Sequence, residues 1–321
     1  MLCVYSAAMK RLFLVPFLFA VSASGGFAAD TNSATDPFDY EPDPAVWRLS
    51  DADTTIYMMG TIHALPPTIK WRSPALERIF GEVDELVLET VDDKNAPAEY
   101  MDEQMVEAML AGIDRKPLLD RVDPANRAIL DQVIRELKLP KDYLDLLPTW
   151  MVAFELFYSG ANIDGVTTDL GVETVLEGVF EKAKKPVSGI EDAKAVNAAL
   201  NALSEEEQLV ALDQMLTEIR TAPASSLRPD QPVGEHPFAD DIAWAQGDMS
   251  RAGEGMSPES MGQAYYDALL VNRNAAWTDW LVRRMDRPGK ILLAVGSAHL
   301  AGKDAVQGML EKKGVKVERV H

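Results

Sequence analysis

The sequence predicts an α/β fold: a central, mostly parallel sheet with helices on its faces, plus a largely helical middle lobe. Three observations carry this expectation. Two apolar runs end in the same phrase: Ile56-Tyr57-Met58-Met59 leads into Gly60-Thr61-Ile62-His63, and Ile291-Leu292-Leu293-Ala294-Val295 leads into Gly296-Ser297-Ala298-His299. Each phrase is followed by a loop, a helical pattern and a second short strand, so the unit strand, Gly-x-x-His, helix, strand recurs at 55–89 and 290–320 as a pseudo-twofold echo. Strands alternating with helices imply parallel crossovers, which place helices on both faces of a sheet.

Taken in order, the elements read as follows. Residues 30–44 are acidic, contain three prolines and lack period, so they read as a tail or linker. Ala45–Leu49 and Thr54–Met59 flank the polar Ser50-Asp51-Ala52-Asp53 and read as a hairpin that feeds the first histidine. Ser73-Pro74 opens a helix to about Val83, with serine as N-cap and proline at the first helical position. Leu86-Val87-Leu88 is a short strand ending in Glu89. Residues 98–160 are mostly helical, broken at Pro117, Pro124, Pro140 and Pro148, with Trp150, Phe154, Phe157 and Tyr158 as core. A helix over Gly171–Lys185 precedes the strand Val187–Ile190, which ends in Glu191. Asp192–Thr221 is acidic and helical, and its run Glu205-Glu206-Glu207 reads as a solvated face. Ala222–Pro237, with four prolines and His236, is a surface loop or linker. Residues 257–286 read as one long helix carrying Arg273, Asn274, Trp277 and Trp280. A helix over Lys303–Lys313, a C-capping Gly314 and the strand Val315–Val320 complete the domain, and the terminal His321 reads as inert.

Composition bounds the function. Lys10 and Arg11 precede the apolar run Leu12–Ala23 and small residues to Ala29, the three regions of a secretory signal, with Met9 as an alternative start. Cleavage after Ala28 or Ala29 is expected, with Ala23 as an alternative, giving a periplasmic or secreted protein that starts near residue 30 and has no stable transmembrane span. The run is shorter than the ~20 apolar residues of a spanning helix. The only cysteine, Cys3, lies in or before this segment, so the mature chain has no disulfide, thiol nucleophile or cysteine-ligated metal. The net charge of −20 at pH 7 disfavours nucleic acid and anionic membrane surfaces as partners; separately, a peptide or small-molecule substrate is expected. The 45–321 segment is read as one domain, with helical insertions at about 98–160 and 192–290.

His63, Glu89, Glu191 and His299 all stand at the carboxyl ends of predicted strands, where ligands gather in open α/β sheets. Two imidazoles and a carboxylate suit a divalent metal of the Zn, Mn or Co class, with His63, His299 and Glu89 as ligands. They also suit acid–base work, with His63, His299 or Glu89 as base and Glu191 in support, and two core histidines with satisfied hydrogen bonds, with Glu89 paired to an arginine, fit the pattern too. Arg273 and Asn274 are expected either to face an oxyanion or, as plain structure, to pair an acid and cap a loop. No H-E-x-x-H, G-x-S-x-G, P-loop or G-x-G-x-x-G is present.

These residues resemble a known family. Val46-Trp47-Arg48-Leu49, Tyr57 to Pro66 with its Gly60-Thr61-Ile62-His63, Trp71 to Leu76, and Leu86 to Glu89 are similar to the TraB/GumN family. So are Pro148-Thr149-Trp150, Lys185 to Glu191, Arg273-Asn274 and Gly296 to Leu300, so the likeness spans about residues 45–320. The family is related to the Tiki metalloproteases and to erythromycin-esterase-like and ChaN-like proteins. The resemblance implies a pseudo-twofold α/β fold and a metal-dependent, peptidase-like hydrolase, with His63, Glu89 and His299 at the centre and Arg273 and Asn274 in support. The chain departs at Gly171-Val172-Glu173, where members often read Gly-Val-Asp; the extra methylene keeps the charge and moves it. The alternatives are a non-catalytic protein that sequesters a peptide, haem or metal, and a metal-free esterase with histidine as base.

Overall fold

A computed structural model describes residues 37–91, 106, 109–110, 114–161, 166–221, 238–253 and 256–321. The predicted signal, the first residues of the linker and His236 lie outside the described residues.

The chain is α/β, built on a six-stranded, mostly parallel mixed sheet with many helices. The strands are β1 (Val46–Ser50), β2 (Thr54–Thr61), β3 (Glu85–Leu88), β4 (Val187–Gly189), β5 (Gly289–Gly296) and β6 (Glu318–Arg319), in the order β4-β3-β5-β2-β1-β6. β4, β3, β5 and β2 run parallel. β1 pairs antiparallel with β2 as the expected hairpin and with β6 on its outer side. The helices used below are α1 (Pro74–Glu82), α2 (Thr149–Ala161), α3 (Val172–Lys182), α4 (Glu205–Thr221), α5 (Asn272–Arg284) and α6 (Val306–Lys312).

The two-residue period of the central strands sorts their side chains onto two faces. Tyr57, Met59, Leu86, Leu88, Leu292 and Ala294 meet Leu76, Ile79 and Phe80 of α1 and Leu176 and Phe180 of α3. Ile56, Met58, Val87, Ile291, Leu293 and Val295 meet Trp277 and Leu281 of α5 and Val306 and Leu310 of α6. Both faces are covered, so the buried stretches Ile56–Met59, Leu86–Leu88 and Ile291–Val295 are continuous apolar runs rather than alternating ones. A third core lies in the helical lobe, where α2 and α4 bring together Trp150, Phe154, Leu212 and Leu216; it reaches Ala298 of the second motif.

Several expectations change at this level. Residues 257–286 are not one helix: Pro258–Met261 and Gln263–Tyr266 are separated by Gly262 at φ +80°, and a π-helical stretch, Asp267–Val271, leads into α5. Glycine permits the left-handed backbone that ends the first piece. After β5 the chain forms a short 3₁₀ turn, Ser297–Leu300, and α6 starts only at Val306. The last strand is reduced to Glu318–Arg319 and lies at the far edge beside β1, whereas β3 lies next to β5. Phe38 and Tyr40, read as part of a linker, pack against the sheet core, and the Asp43 N–H donates to the Ala245 carbonyl.

The loop carrying the first histidine is stitched to the start of α3. Leu65 and Thr167 exchange backbone hydrogen bonds, and the Val172 N–H donates to the Ile62 carbonyl. Gly171 sits in this seam: a Cβ there would lie 2.0 Å from the His63 carbonyl oxygen. Gly171→Ala is therefore expected to destabilise the fold by about 1–3 kcal/mol. Gly178→Ala, in the middle of α3 with open space around it, is expected to be neutral or to stabilise by ~0.5–1 kcal/mol. Urea denaturation of both variants tests this, and equal midpoints would refute the close approach at Gly171.

Candidate functional site

The sheet brings together the four predicted strand ends. Glu191 follows β4, Glu89 follows β3, His299 follows β5 and His63 follows β2, so four adjacent parallel strands each deliver one of them at the same edge. The two motifs run beside each other one residue out of step: Gly60 pairs with Val295, and Thr61 with Gly296. A Cβ at Gly60 would lie 3.0 Å from the Ser297 Cα, so the glycine lets the two strand ends close up.

Arg273 stands at the centre of one side of this edge. It is 7% exposed, on the first turn of α5, and all five guanidinium N–H groups have acceptors. Nε donates to both oxygens of Glu191 (3.0 and 3.1 Å). Nη2 donates to Glu191 Oε1 (2.5 Å) and to Glu89 Oε2. Nη1 donates to the Leu269 carbonyl (3.0 Å) and to His299 Nε2 (3.3 Å). Glu89 is fully buried, and its other oxygen accepts from the Gly296 N–H at 2.7 Å. Arg273 thus follows the ion-pair alternative; with every donor occupied, it has none free for an oxyanion in this arrangement.

Asn274 fixes His299. The Asn274 Nδ2 donates to the Asp304 carbonyl at 2.8 Å, which settles the orientation of the amide. Its Oδ1 therefore faces His299 Nδ1, at 2.5 Å, and Nδ1 is the protonated nitrogen. Nε2 of His299 then accepts from Arg273. His299 has no exposed surface.

His63 is partnered differently. Its Nδ1 lies 2.7 Å from Glu173 Oε1, in the first turn of α3, and Thr61 Oγ1 donates to the same oxygen. Its Nε2 is buried and has no hydrogen-bond partner among the described residues. Glu173, noted in the sequence only as a departure from the family, is the residue that anchors the first histidine. The helix start at Gly171 was legible, but nothing in the sequence placed it against His63.

The charges divide the site. Burial works against an imidazolium at His63, but the Glu173 carboxylate, with Glu89 in support, outweighs it and holds His63 above the ordinary histidine range. Burial pushes His299 down to about 3, with Arg273 and His63 acting in the same direction and Glu89 against them, so His299 is neutral near pH 7. Burial also penalises the charge on Glu89, yet Arg273, the two histidines and the Gly296 N–H hold it below the usual carboxylate range. Glu191 is raised, by burial first and by the charge of Glu89, against the pull of Arg273 and of the Trp277 N–H.

The metal expected from the sequence fits this arrangement poorly. Among the described residues no three His, Cys, Asp or Glu side chains form a group able to hold an ion. The guanidinium of Arg273 lies against both Glu89 and His299 Nε2, the groups an ion would need.

The fold and these strand ends define an α/β protein with a buried polar centre at the carboxyl edge of a parallel sheet. Residues 45–319 match the TraB/PrgY/gumN family, and the chain belongs to it. It is distantly similar to a protein of Escherichia coli (strain K12) named "Uncharacterized protein YbaP", 26% identical over 193 residues, covering 60% of this chain and 67% of that one. The protein of the same name from Shigella flexneri matches equally. No solved structure matches the chain.

The Arg273 network is expected to dominate local stability. Arg273→Met leaves Glu89 buried with the Gly296 N–H as its remaining strong partner and is expected to cost about 3–5 kcal/mol. Glu89→Gln combined with Arg273→Met is expected to recover part of that loss, because the stranded charge is gone. Urea melts of the two variants measure this; a double variant no more stable than Arg273→Met would show that the charge is not what matters.

Proposed function

We propose that this protein is a hydrolase of the periplasm or cell exterior, peptidase-like in substrate, with His63 as its acting residue. The observation that supports this reading is the buried Nε2 of His63, unpartnered among the described residues, whose other nitrogen is anchored on the Glu173 carboxylate. An imidazole with one nitrogen held by a carboxylate and the other open is suited to accept a proton from water attacking an ester or amide carbonyl. The Glu173 carboxylate then stabilises the imidazolium that forms. His299 is already engaged by Asn274 and Arg273, so of the two histidines His63 is the one with a nitrogen to offer. The two strand–Gly-x-x-His–helix–strand units are proposed to be related halves, in keeping with the adjacent parallel placement of β2 and β5.

A second reading retains a divalent ion of the Zn, Mn or Co class. Both imidazoles have Nδ1 held by an oxygen, so each presents Nε2, as metal-bound histidines do. Such an ion would polarise a carbonyl and acidify bound water. Arg273 would have to withdraw from His299 and Glu89 for all three proposed ligands to engage.

Hydrolysis of p-nitrophenyl acetate and of a fluorogenic casein, with and without chelator, tests both readings. His63→Ala is expected to lower kcat/KM by about 10²–10⁴-fold. Loss of turnover on chelation, restored by Zn, Mn or Co, selects the metal reading, and turnover insensitive to chelation selects histidine as base. Equal rates for wild type and His63→Ala on both probes overturn the hydrolase reading in favour of a binding protein. The pH dependence has a definite sign. A base must be neutral, so in the metal-free reading kcat/KM rises with pH through the raised midpoint of His63, above the ordinary value of about 6.5. Glu173→Gln removes the main charge that raises it and leaves only Glu89 against burial, so the acid limb is expected to move to lower pH.

A further inference from the structure

Trp277 touches three members of the centre at once. It lies one helical turn after Arg273 on the inner face of α5 and is 1% exposed. Its indole N–H donates to Glu191 Oε2 at 2.9 Å. Its ring lies against the His299 imidazole, with centroids 4.3 Å apart and planes at 40°. The Arg273 guanidinium carbon stands 4.9 Å from the ring centroid. A tryptophan buried only for packing does not require these three contacts: its neighbours Leu281, Val306 and Leu310 on the same sheet face are aliphatic.

Each contact restricts a degree of freedom that other bonds leave open. Asn274 holds His299 at Nδ1 and Arg273 meets it at Nε2, and the indole beside the imidazole limits tilting of its plane about the line joining those two contacts. Arg273 clamps Glu191 through Nε and Nη2, and the indole N–H gives Oε2 a second donor, so the carboxylate stays flat against the guanidinium fork. The ring also provides a π face for the guanidinium.

We propose that Trp277 is a positioning residue that sets the ring plane of His299 and the seat of Glu191 on Arg273, linking the ends of β5 and β4 through one side chain. This role is independent of the hydrolase reading, in which His63 rather than His299 acts. Its readouts are NMR signals rather than turnover, so its failure is distinguishable from a failure of that reading.

The test uses the full mature chain and two substitutions. Long-range proton–nitrogen NMR reports the tautomer of each of the four histidines, and hydrogen exchange reports the Arg273 side-chain N–H. In wild type His299 is expected as a single Nδ1–H tautomer, with a slowly exchanging Arg273 Nε–H. Trp277→Phe keeps a ring and loses the N–H: His299 should keep its tautomer while the Arg273 Nε–H exchanges at least about tenfold faster, a change equivalent to ~1.4 kcal/mol of opening. Trp277→Leu removes the ring, and His299 should then show mixed tautomers or broadened signals. If Trp277→Leu does not fold, the Trp277→Phe exchange rate decides alone. Wild-type Arg273 exchange in Trp277→Phe, or a wild-type His299 signal in folded Trp277→Leu, overturns the proposal.

Discussion

One buried positive charge organises the carboxyl edge of the sheet. Arg273 has left water almost completely, and such a charge is tolerated only where oppositely charged groups and hydrogen-bond acceptors surround it. Glu89 and Glu191 supply the charges, and the Leu269 carbonyl and His299 Nε2 take the remaining N–H groups. Those four partners come from β3, β4, the π-helical turn and the segment after β5. To satisfy one guanidinium, therefore, three strand ends and a helix must hold fixed relative positions.

The sheet makes this possible. β4, β3, β5 and β2 are consecutive and parallel, so their carboxyl ends share an edge. The hydrogen-bond register between β2 and β5 places the two motifs one residue out of step, and the glycine at the start of the first motif lets the strands approach. Beyond the strand ends the two histidines take different partners. His299 is enclosed on the α5 side by Asn274, Arg273 and Trp277. His63 turns toward α3 and takes Glu173. One histidine is held neutral by burial and the other is biased toward the charged form by a carboxylate, although the two arrive in near-identical phrases.

Much of this was legible from residue order alone. The hairpin, the Ser73-capped α1, the strands ending in Glu89 and Glu191, and the repeated Gly-x-x-His follow from local rules of period, capping and turn chemistry. Those rules act within a few residues, so they place side chains at strand ends without stating which strands are neighbours. The long helix expected over 257–286 shows where they stop. The apolar period continues through it, but one glycine and one π-helical turn divide it and aim Arg273, Asn274 and Trp277 inward. In the sequence Trp277 is only one residue of that long helix, and its N–H to Glu191 is visible only once the end of β4 is brought to α5.

The sequence by itself determined the class of fold, the residues that reach the carboxyl edge of the sheet and membership of the TraB/PrgY/gumN family, because strand period, glycine placement and motif are properties of neighbouring residues. The tertiary structure decided who pairs with whom. That Arg273 spends every donor within the protein, that Asn274 selects the tautomer of His299, and that Glu173 rather than Glu89 anchors His63 all depend on distances between segments far apart in the chain. The physical reason is that charge burial and hydrogen-bond geometry are settled over a few ångströms in space, and separation along the chain does not encode that distance.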